Sequence, residues 1–383
     1  MSDVTTGRGE SRPASEDWLY EAARAFVGVG PAGWRRLEAV VALTVVAGVA
    51  RADWFDEKEQ SVRAEVPEAV LELVREHRSR DARKADGPWW RMTVRLTVLG
   101  EVDFELDYGA EPFPDDQLFA PEAYAADLLA HPRSRLPVWL AAYVRQEGSQ
   151  RRSPKQAAQQ ARADRSRGQW AAPVQGLPTL SVMWARWAVL AAVHAAIESP
   201  SGPRVLPSFG MFETEGRSGS SLYLLPGDRA VLSGGVWDAA DLDAAYNGGA
   251  VMPDYYLGAP DWVANPVLNP RAGTGLLSFC FWWDGSGWYR GESADVEHHR
   301  SAIPEVLTAA GTADAVCEVL PESLRGERLS VAMAAVAAAE RATASRDAVS
   351  GLFSSEGSVD IDGALYQLSL AGLIGARAVP NLM

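Results

Sequence analysis

The strictest alternation of hydrophobic and polar residues runs from residue 89 to residue 108 and predicts two β-strands. Met, Val and Leu alternate with Arg and Thr in RMTVRLTV (91–98), and Val, Phe, Leu and Tyr alternate with Glu and Asp in EVDFELDY (101–108). A period of two residues places alternate side chains on opposite faces of a sheet. One face of this hairpin is therefore apolar, and the polar face of its second strand carries only carboxylates.

The short segment between the two strands sets their register. A three-residue loop, 98–100, ends in glycine, which adopts the left-handed backbone conformation that such a loop needs. Arg95 is then expected opposite Asp103, and Arg91 opposite Asp107. Cross-strand pairs of opposite charge stabilise a sheet by about 0.2–1 kcal/mol each. The polar face is therefore predicted to neutralise part of its own charge.

Around this hairpin, the first half of the chain is predicted to contain short helices, a further strand and a loop. Apolar residues recur at helical spacing in three segments, the first with Ser15 as its N-cap, over 15–27, 66–77 and 122–130. The Val-rich segment 34–49 is predicted as a buried strand, although its residues 37–39 would also suit a helix. A Pro-rich loop over 109–121 follows the hairpin and adds three acidic residues.

The second half alternates between apolar helices and short strands. Helices are predicted over 180–197, 302–320 and 328–350, the last of them Ala-rich, and a strand or helix over 358–374. Short strands are predicted over 205–237, and a loop rich in Gly, Pro and Asn over 246–275. A second hairpin is predicted over 276–289, with its turn at Asp-Gly-Ser-Gly.

The composition between residues 147 and 168 separates two domains. This stretch is polar, Gln-rich and basic, which is typical of a linker, although its Ala, Gln and Arg content would also permit a solvated helix. We predict a disordered start at 1–15, an α+β domain at 16–146, the linker at 147–168 and a second α+β domain of unknown function at 169–383. Each domain is expected to pack helices on a small, mainly antiparallel sheet.

Composition and charge narrow the class of function. The chain has 383 residues, 47% of them hydrophobic, with 14 Trp, which is enough for sizeable cores. Its formal charge of −14 disfavours nucleic-acid binding, because phosphate attraction needs clustered Lys and Arg, and it suits a basic protein partner. We find no export signal, no apolar segment of membrane-spanning length and no metal or redox spacing of the two cysteines. We expect a cytoplasmic protein that binds neither nucleic acid nor membrane.

The carboxylates of the hairpin raise the question of catalysis. Carboxylates two residues apart can hold Mg²⁺, so a metal-dependent phosphoesterase around Asp103 is one alternative. No phosphate-binding Gly loop or nucleophile elbow accompanies them. Among the histidines, His194 is predicted to be a satisfied core residue, and His298 and His299 are predicted to lie on a solvated helix surface. We therefore expect no enzyme, no cofactor and no metal site.

A characteristic order of residues runs across 18–144, a third of the chain: Trp34, Trp89, Trp90, Phe104, Glu105, Leu106, Asp107, Tyr108, Glu111, Pro112, Tyr124, Asp127, Leu128, His131, Pro132, Arg133, Leu136, Pro137, Val138 and Trp139. This order of features resembles the bacterial immunity proteins of the YezG-like kind. Members of that family are small α+β proteins that protect a producing cell from polymorphic toxins, including nucleases. The resemblance implies a toxin-neutralising protein, and it implies a helix after Trp34, where the residue pattern favours a strand.

The acidic strand and the loop after it form the predicted contact surface. Acidic side chains complement the basic cleft that many nucleases carry, and they accelerate encounter. Because Arg91 and Arg95 offset two acids, the least compensated charge is expected at Glu105 and in the loop. The predicted partner-binding residues are Asp103, Glu105, Asp107, Glu111, Phe113, Asp115 and Asp116, with Phe119 as a second aromatic anchor. The alternatives are a different interaction or secretion-accessory protein, and acids that only keep an exposed strand soluble.

Overall fold

The computed structural model describes residues 17–81, 87–146, 148–320, 328–353 and 359–374, with only the backbone described for residues 17–20 and 22. The predicted disordered start lies outside these ranges, and so does Ser15, the predicted N-cap of the first helix. The chain divides into two compact units, Met1–Val144 and Arg145–Met383. Each contains an antiparallel sheet, of five strands in the first and seven in the second, accompanied by helices. The predicted α+β class is therefore confirmed. No helix in the described ranges is long and apolar enough to cross a membrane.

The first unit builds its sheet from two segments of the chain that lie on either side of a helix. The strands are β1 (Arg36–Leu43), β2 (Gly48–Phe55), β3 (Ser61–Ala64), β4 (Arg91–Thr97) and β5 (Val102–Asp107). The helices are α1 (Asp17–Val27), α2 (Glu68–Asp81), α3 (Pro121–Ala130) and α4 (Val138–Arg145). In the sheet the strands follow the order β3-β2-β1-β4-β5, so β1 is central and β5 lies at one edge.

Helices α1 and α2 cover one face of this sheet. Phe26 of α1 and Val74 of α2 are buried against Leu37 of β1, Trp54 of β2 and Met92 of β4. Burying a side chain of this size contributes about 1.5–3 kcal/mol. The alternate residues of the strands supply this core, and the residues between them point to the opposite face.

The predicted hairpin is confirmed down to its register. Arg91 pairs with Asp107, and Arg95 pairs with Asp103. Gly100 has a φ of 84°, the left-handed conformation that the three-residue loop needs. The carboxylates of β5 therefore lie on the sheet face that α1 and α2 leave open.

The Val-rich segment after Trp34 is a strand. β1 pairs with β2 on one side and with β4 on the other. Val40 and Ala42 are buried although they point away from Leu37, so the second half of the strand is apolar on both faces and its sequence there does not alternate. The strand prediction is confirmed, and the helix that the resemblance implies directly after Trp34 is wrong. Strands β2 and β3 were not predicted.

The second unit contains the larger sheet and most of the helices. Its strands are β6 (Ala172–Pro173), β7 (Arg204–Leu206), β8 (Phe209–Glu213), β9 (Gly219–Leu225), β10 (Arg229–Gly235), β11 (Phe279–Trp283) and β12 (Trp288–Arg290). Its helices are α5 (Pro154–Arg167), α6 (Leu180–Ala196), α7 (Ala240–Tyr246), α8 (Ala309–Val319), α9 (Leu329–Glu340), α10 (Arg346–Ser350) and α11 (Ile361–Leu370), with 3-10 helices at Asp261–Ala264, Pro270–Gly273 and Val296–Ala302. The strand order is β6-β12-β11-β10-β9-β8-β7.

Helix α6 is the centre of this unit's core. Most of its residues are buried on every side, because it packs between the sheet and helices α8, α9 and α11. Its Arg186 is satisfied by the Glu340 carboxylate at 2.7 Å and by the carbonyls of Val306 and Leu307 at 3.0 and 2.8 Å. The predicted helix over 180–197 is confirmed.

The segment predicted as a linker contains an ordered helix. Helix α5 begins at a capping box, in which the Ser153 hydroxyl accepts from the backbone of Gln156 and the Gln156 side chain accepts from the backbone of Ser153. Its Ala157 and Ala161 are buried, and Asp164 accepts a hydrogen bond from the Gly258 backbone at 3.0 Å. Residues 154–167 therefore pack within the second unit, and the linker prediction is corrected to a helix there.

The Ala-rich segment 328–350 is two helices rather than one. Ala342 has a φ of 52°, which ends the helical path after α9. Ser345 then caps α10, because its hydroxyl accepts from the Ala348 backbone at 3.2 Å. The polar residues between the helices are the local signal for this break.

The remaining predictions for the second unit hold with shifted ends. The hairpin over 276–289 is confirmed, and Trp283 pairs with Trp288 across it. The helix predicted from residue 302 begins only at Ala309, where Thr308 provides the N-cap. The last segment, described from residue 359, is helical as α11.

Candidate functional site

The face of the first sheet opposite α1 and α2 carries charged side chains on all five strands, although Val40, Ala42 and Thr93 on this face are buried. We call these residues the charged sheet face, and the strand register places them all on one side. They are Arg36, Glu38, Arg51, Asp53, Arg63, Arg91, Arg95, Asp103, Glu105 and Asp107. The face contains five arginines among its acids, so it is a surface of mixed charge rather than an acidic patch.

One row of this face crosses the whole sheet. Arg63, Asp53, Glu38, Arg95 and Asp103 are direct neighbours on successive strands. Arg63 lies 2.8 Å from Asp53, and Arg95 lies 3.2 Å from Asp103. Opposite charges thus meet at both ends of the row, and each such cross-strand pair is stabilising.

The acids of β5 share the guanidinium groups of β4. Arg95 lies 3.2 Å from Asp103 and 3.4 Å from Glu105, and Arg91 lies 3.4 Å from Asp107. Desolvation acts to lower the pKa of Arg95, but the hydrogen bonds to Asp103 and Glu105 raise it above its ordinary value. Burial raises the pKa of the Asp107 carboxyl, although Gly109 and Arg91 oppose this. Asp103 and Glu105 are the exposed members, at 71% and 59% of their side-chain surface.

The loop after β5 does not form the uncompensated acidic surface that the sequence suggested. Asp116 forms an ion pair with Arg51 of β2, so the loop is tied to the charged sheet face. Glu105 shares Arg95 with Asp103 and is also compensated. Asp115 and Glu111 are exposed. The predicted acids are therefore close together, but arginines of the same face neutralise most of them.

Phe113, predicted as an interface residue, is part of the core. It is 4% exposed, and its ring packs against Trp90, Tyr124 and Trp139 with centroids 6.4, 5.9 and 5.5 Å away. Phe113 therefore supports the loop from inside, and its prediction as a surface anchor is corrected. Phe119 is half-buried and packs on Tyr124 at 6.0 Å.

A buried ion pair lies beneath this region and was not predicted. Asp127 of α3 accepts from the guanidinium of Arg78 at 2.8 and 2.9 Å, from the indole of Trp90 at 2.8 Å and from the Val45 backbone at 2.8 Å. Arg78 also donates to the Trp89 carbonyl at 2.9 Å. Two residues of the resemblance, Trp90 and Asp127, are thus explained by packing.

Several features bear on the enzyme alternative. Among the described residues, no group of three or more His, Cys, Asp or Glu side chains is arranged to hold a metal ion. Cys280 is buried and Cys317 is half-buried, and burial raises the pKa of both thiols. The reactive thiolate is therefore disfavoured at both positions.

The histidine predictions are correct at one site and wrong at another. His194 lies on α6 with its Nδ1 3.1 Å from the Ser201 carbonyl, so it is satisfied as expected, although it is half-buried rather than fully in the core. His298 is exposed, but His299 is buried and stacks on Phe279 at 4.6 Å. A short 3-10 helix turns the two neighbours in different directions, so the pair is not a solvated surface.

Comparison with known proteins does not place this chain in a family. No family model matches the sequence, and no curated protein resembles it at a significant level. The resemblance to YezG-like immunity proteins therefore stays a prediction that rests on the order of residues given above.

Proposed function

We propose that this chain is a cytoplasmic, non-catalytic binding protein that neutralises a protein toxin through the charged sheet face of its first unit. The partner would be a basic protein domain, as the resemblance to immunity proteins implies. Binding would be stoichiometric and would need no cofactor or metal. Nucleic acid and membrane are not expected as partners, given the formal charge of −14.

One observation carries the proposal. Asp103 and Glu105 lie on the edge strand β5, are both mostly exposed, and share a single arginine, Arg95 of the neighbouring strand β4. Exposed ion pairs contribute only about 0–1 kcal/mol, so a partner's Lys or Arg can replace Arg95 at small cost. The strand register thus holds the two carboxylates in fixed positions for a partner, and Arg95 neutralises part of their charge when no partner is bound.

The edge position of β5 adds to this support. An edge strand presents backbone groups that could pair with other chains, and charged side chains normally oppose such pairing. Acidic side chains on β5 oppose backbone pairing with most other strands but favour pairing with a strand that carries basic side chains. Electrostatic complementarity would therefore select the partner.

The test is affinity capture from the native host with identification of the bound protein, followed by co-expression of the two. We expect a captured protein that arrests growth when it is expressed alone and is harmless beside the wild-type chain. The variant Asp103→Lys/Glu105→Lys is expected to reduce capture by about tenfold or more, because it reverses two contact charges. The matched control is Glu21→Lys/Glu72→Lys, which makes the same charge change on the exposed sides of α1 and α2.

Two results would contradict the proposal in different ways. If the control and the Asp103→Lys/Glu105→Lys variant retain capture equally, the surface assignment is wrong. If capture depends on the carboxylates but the captured protein is not toxic, the binding face stands and the toxin-neutralising function does not.

A further inference from the structure

A cavity of ≈ 470 Å³ opens on the sheet of the second unit. Its lining includes Met211 and Glu213 of β8, Ser221 and Tyr223 of β9, and Arg271. The cavity lies on the sheet face opposite α6, because Leu222, which alternates with Ser221 and Tyr223, belongs to the core around that helix. Its volume is within the range of about 300–1,000 Å³ that is usual for small-molecule sites.

Three neighbouring cross-strand rows form the floor of this cavity. Glu213 and Gly219 are partners in the first row, Met211 and Ser221 in the second, and Phe209 and Tyr223 in the third. The floor therefore changes from charged, through hydroxyl-bearing, to aromatic over the distance of a few residues. Such a gradient suits a small molecule with a polar end and a planar apolar end.

The middle row holds a buried hydroxyl without a partner. Ser221 is 7% exposed, and its Oγ makes no hydrogen bond within the described part of the chain. Its cross-strand neighbour Ser233 is different, because its hydroxyl donates to the Leu268 carbonyl at 2.7 Å. A buried polar group left unpaired costs about 1–3 kcal/mol. A ligand that hydrogen-bonds to Ser221 recovers part of that cost.

Arg271 lies close to two glycines at the charged end. A Cβ at Gly219 would clash with the Phe212 carbonyl oxygen and lie 2.9 Å from the Arg271 Nη2. One at Gly235 would clash with the Leu276 carbonyl oxygen and lie 3.2 Å from the Arg271 Cδ, so backbone and arginine both approach these glycines closely. The Arg271 side chain is 17% exposed, and burial lowers its pKa. Its carboxylate neighbour Glu213 is 3.4 Å away and mostly exposed. A desolvated guanidinium with one long ion pair favours a further carboxylate.

Aromatic and thioether groups line the other end. The rings of Phe209 and Tyr223 stack with centroids 4.9 Å apart and an angle of 14°. Met211 is exposed, although it is a large apolar side chain. Together they provide a surface on which an aromatic ring can pack.

We propose that this cavity binds a free aromatic α-amino acid. Arg271 and the Ser221 hydroxyl hold the carboxylate, and Glu213 holds the ammonium group. The ring packs against Met211 and Tyr223. This assignment is independent of the toxin-binding proposal, since it uses other residues and another class of ligand.

Calorimetry on the full-length chain with L-phenylalanine, L-tyrosine and L-tryptophan tests the assignment. Saturable binding of one molecule per chain is expected for at least one of them. L-phenylalaninamide lacks the carboxylate and N-acetyl-L-phenylalanine lacks the ammonium group. Each is expected to bind about tenfold more weakly than the parent, the effect of losing one charge-assisted contact. If none of the three amino acids saturates the protein, the assignment is overturned.

Two variants test whether Arg271 binds the carboxylate of the ligand and Glu213 binds its ammonium group. Arg271→Gln is expected to remove the preference for phenylalanine over its amide, and Glu213→Gln to remove the preference over the N-acetyl derivative. Glu215→Gln is the matched control, because Glu215 is exposed near the end of the same strand and is absent from the cavity lining. It should leave all affinities unchanged.

A third variant covers the case in which Arg271→Gln fails to fold. Met211→Arg changes an exposed side chain and should fill the cavity without disturbing the core, which a thermal unfolding curve can verify. It is expected to abolish binding of the amino acid. Binding that survives Met211→Arg in a folded protein would place the ligand elsewhere and overturn the assignment.

Discussion

Polar side chains are satisfied differently at two places in the molecule, the ion pairs and Asp127 of the first unit and the buried Ser221 and His299 of the second, although the first unit also buries an unpartnered Trp54 Nε1 among the described residues. In the first, charged residues of opposite sign lie in cross-strand register, and buried Asp127 accepts hydrogen bonds from three separate groups. In the second, Ser221 and His299 are buried without hydrogen bonds of ordinary geometry to the described residues. A paired group is already satisfied, whereas a buried unpaired group is stabilised by whatever binds it. The unpaired Ser221 hydroxyl is the part of this contrast that bears on the proposed small-ligand site.

The largest effect is expected from breaking the satisfied pair in the first unit. Asp127→Ala leaves the Arg78 guanidinium buried without its carboxylate and should destabilise this unit by about 3–5 kcal/mol. Chemical denaturation followed by circular dichroism measures it. Asp103→Ala is the control, because it removes an exposed carboxylate and should cost about 1 kcal/mol or less. Equal effects of the two substitutions would show that the buried pair is not the stronger interaction.

The second prediction concerns His299, the buried histidine of the other unit. Burial, reinforced by electrostatic interactions with His298 and Arg290, lowers the pKa of His299 to about 4, while a hydrogen bond with the Ala294 backbone and the Asp295 carboxylate oppose the shift. Because the folded pKa lies below the unfolded value of about 6.5, the unfolded state takes up the proton first. The contribution of His299 to the free energy of unfolding is therefore fully present above pH 6.5, and it is lost as the pH drops from 6.5 towards 4. The loss from this group is about 3 kcal/mol.

Two substitutions separate His299 from other titrating groups. His299→Phe keeps a ring on Phe279 and should remove most of the loss between pH 6.5 and pH 4 in a denaturation series. The exposed neighbour provides the control, since His298→Gln should leave the loss nearly intact. A slope unchanged by His299→Phe would mean that acid sensitivity arises elsewhere.

The third prediction compares two serines that are neighbours across the second sheet. Ser233→Ala removes a donor to the Leu268 carbonyl and should destabilise the unit by about 1 kcal/mol. Ser221→Ala removes a hydroxyl that has no partner among the described residues and should be neutral or slightly stabilising. Denaturation midpoints of the two variants test this order. If Ser221→Ala costs as much as Ser233→Ala, the hydroxyl is already satisfied and the ligand site loses one of its supports.

The sequence predicts the first unit's surface better than its interior. The period-two alternation of residues 91–108 gives the hairpin, its register and its charged pairs, because all of these depend on residues close together in the chain. The Arg78–Asp127 pair joins α2 to α3 and has no local pattern. The same holds for Phe113, whose burial depends on where the Pro-rich loop folds.

In the second unit, the elements could be predicted from the sequence but not the cavity. The hairpin and helix α6 follow from turn residues and apolar runs. The position of Arg271 close to Gly219 depends on a long loop that returns to the sheet, and the glycine alone predicts only a close approach of some kind. The sequence does not predict the burial of His299, because neighbouring histidines on a short 3-10 helix can differ completely in burial.

The smallest effect is expected on the charged sheet face. A double-mutant cycle of Arg95→Ala and Asp103→Ala should give a coupling energy of about 0.2–1 kcal/mol, and this energy should fall further in 1 M salt because both groups are exposed. The cycle Arg78→Ala and Asp127→Ala should give a larger coupling that salt hardly changes, since the pair is buried. A weak, salt-sensitive coupling at Arg95 is what the proposed function needs, because the carboxylates must be able to exchange this arginine for a partner's. A strong coupling there would mean that the face is fixed on itself, and it would leave Asp103 and Glu105 unable to bind a basic protein at small cost.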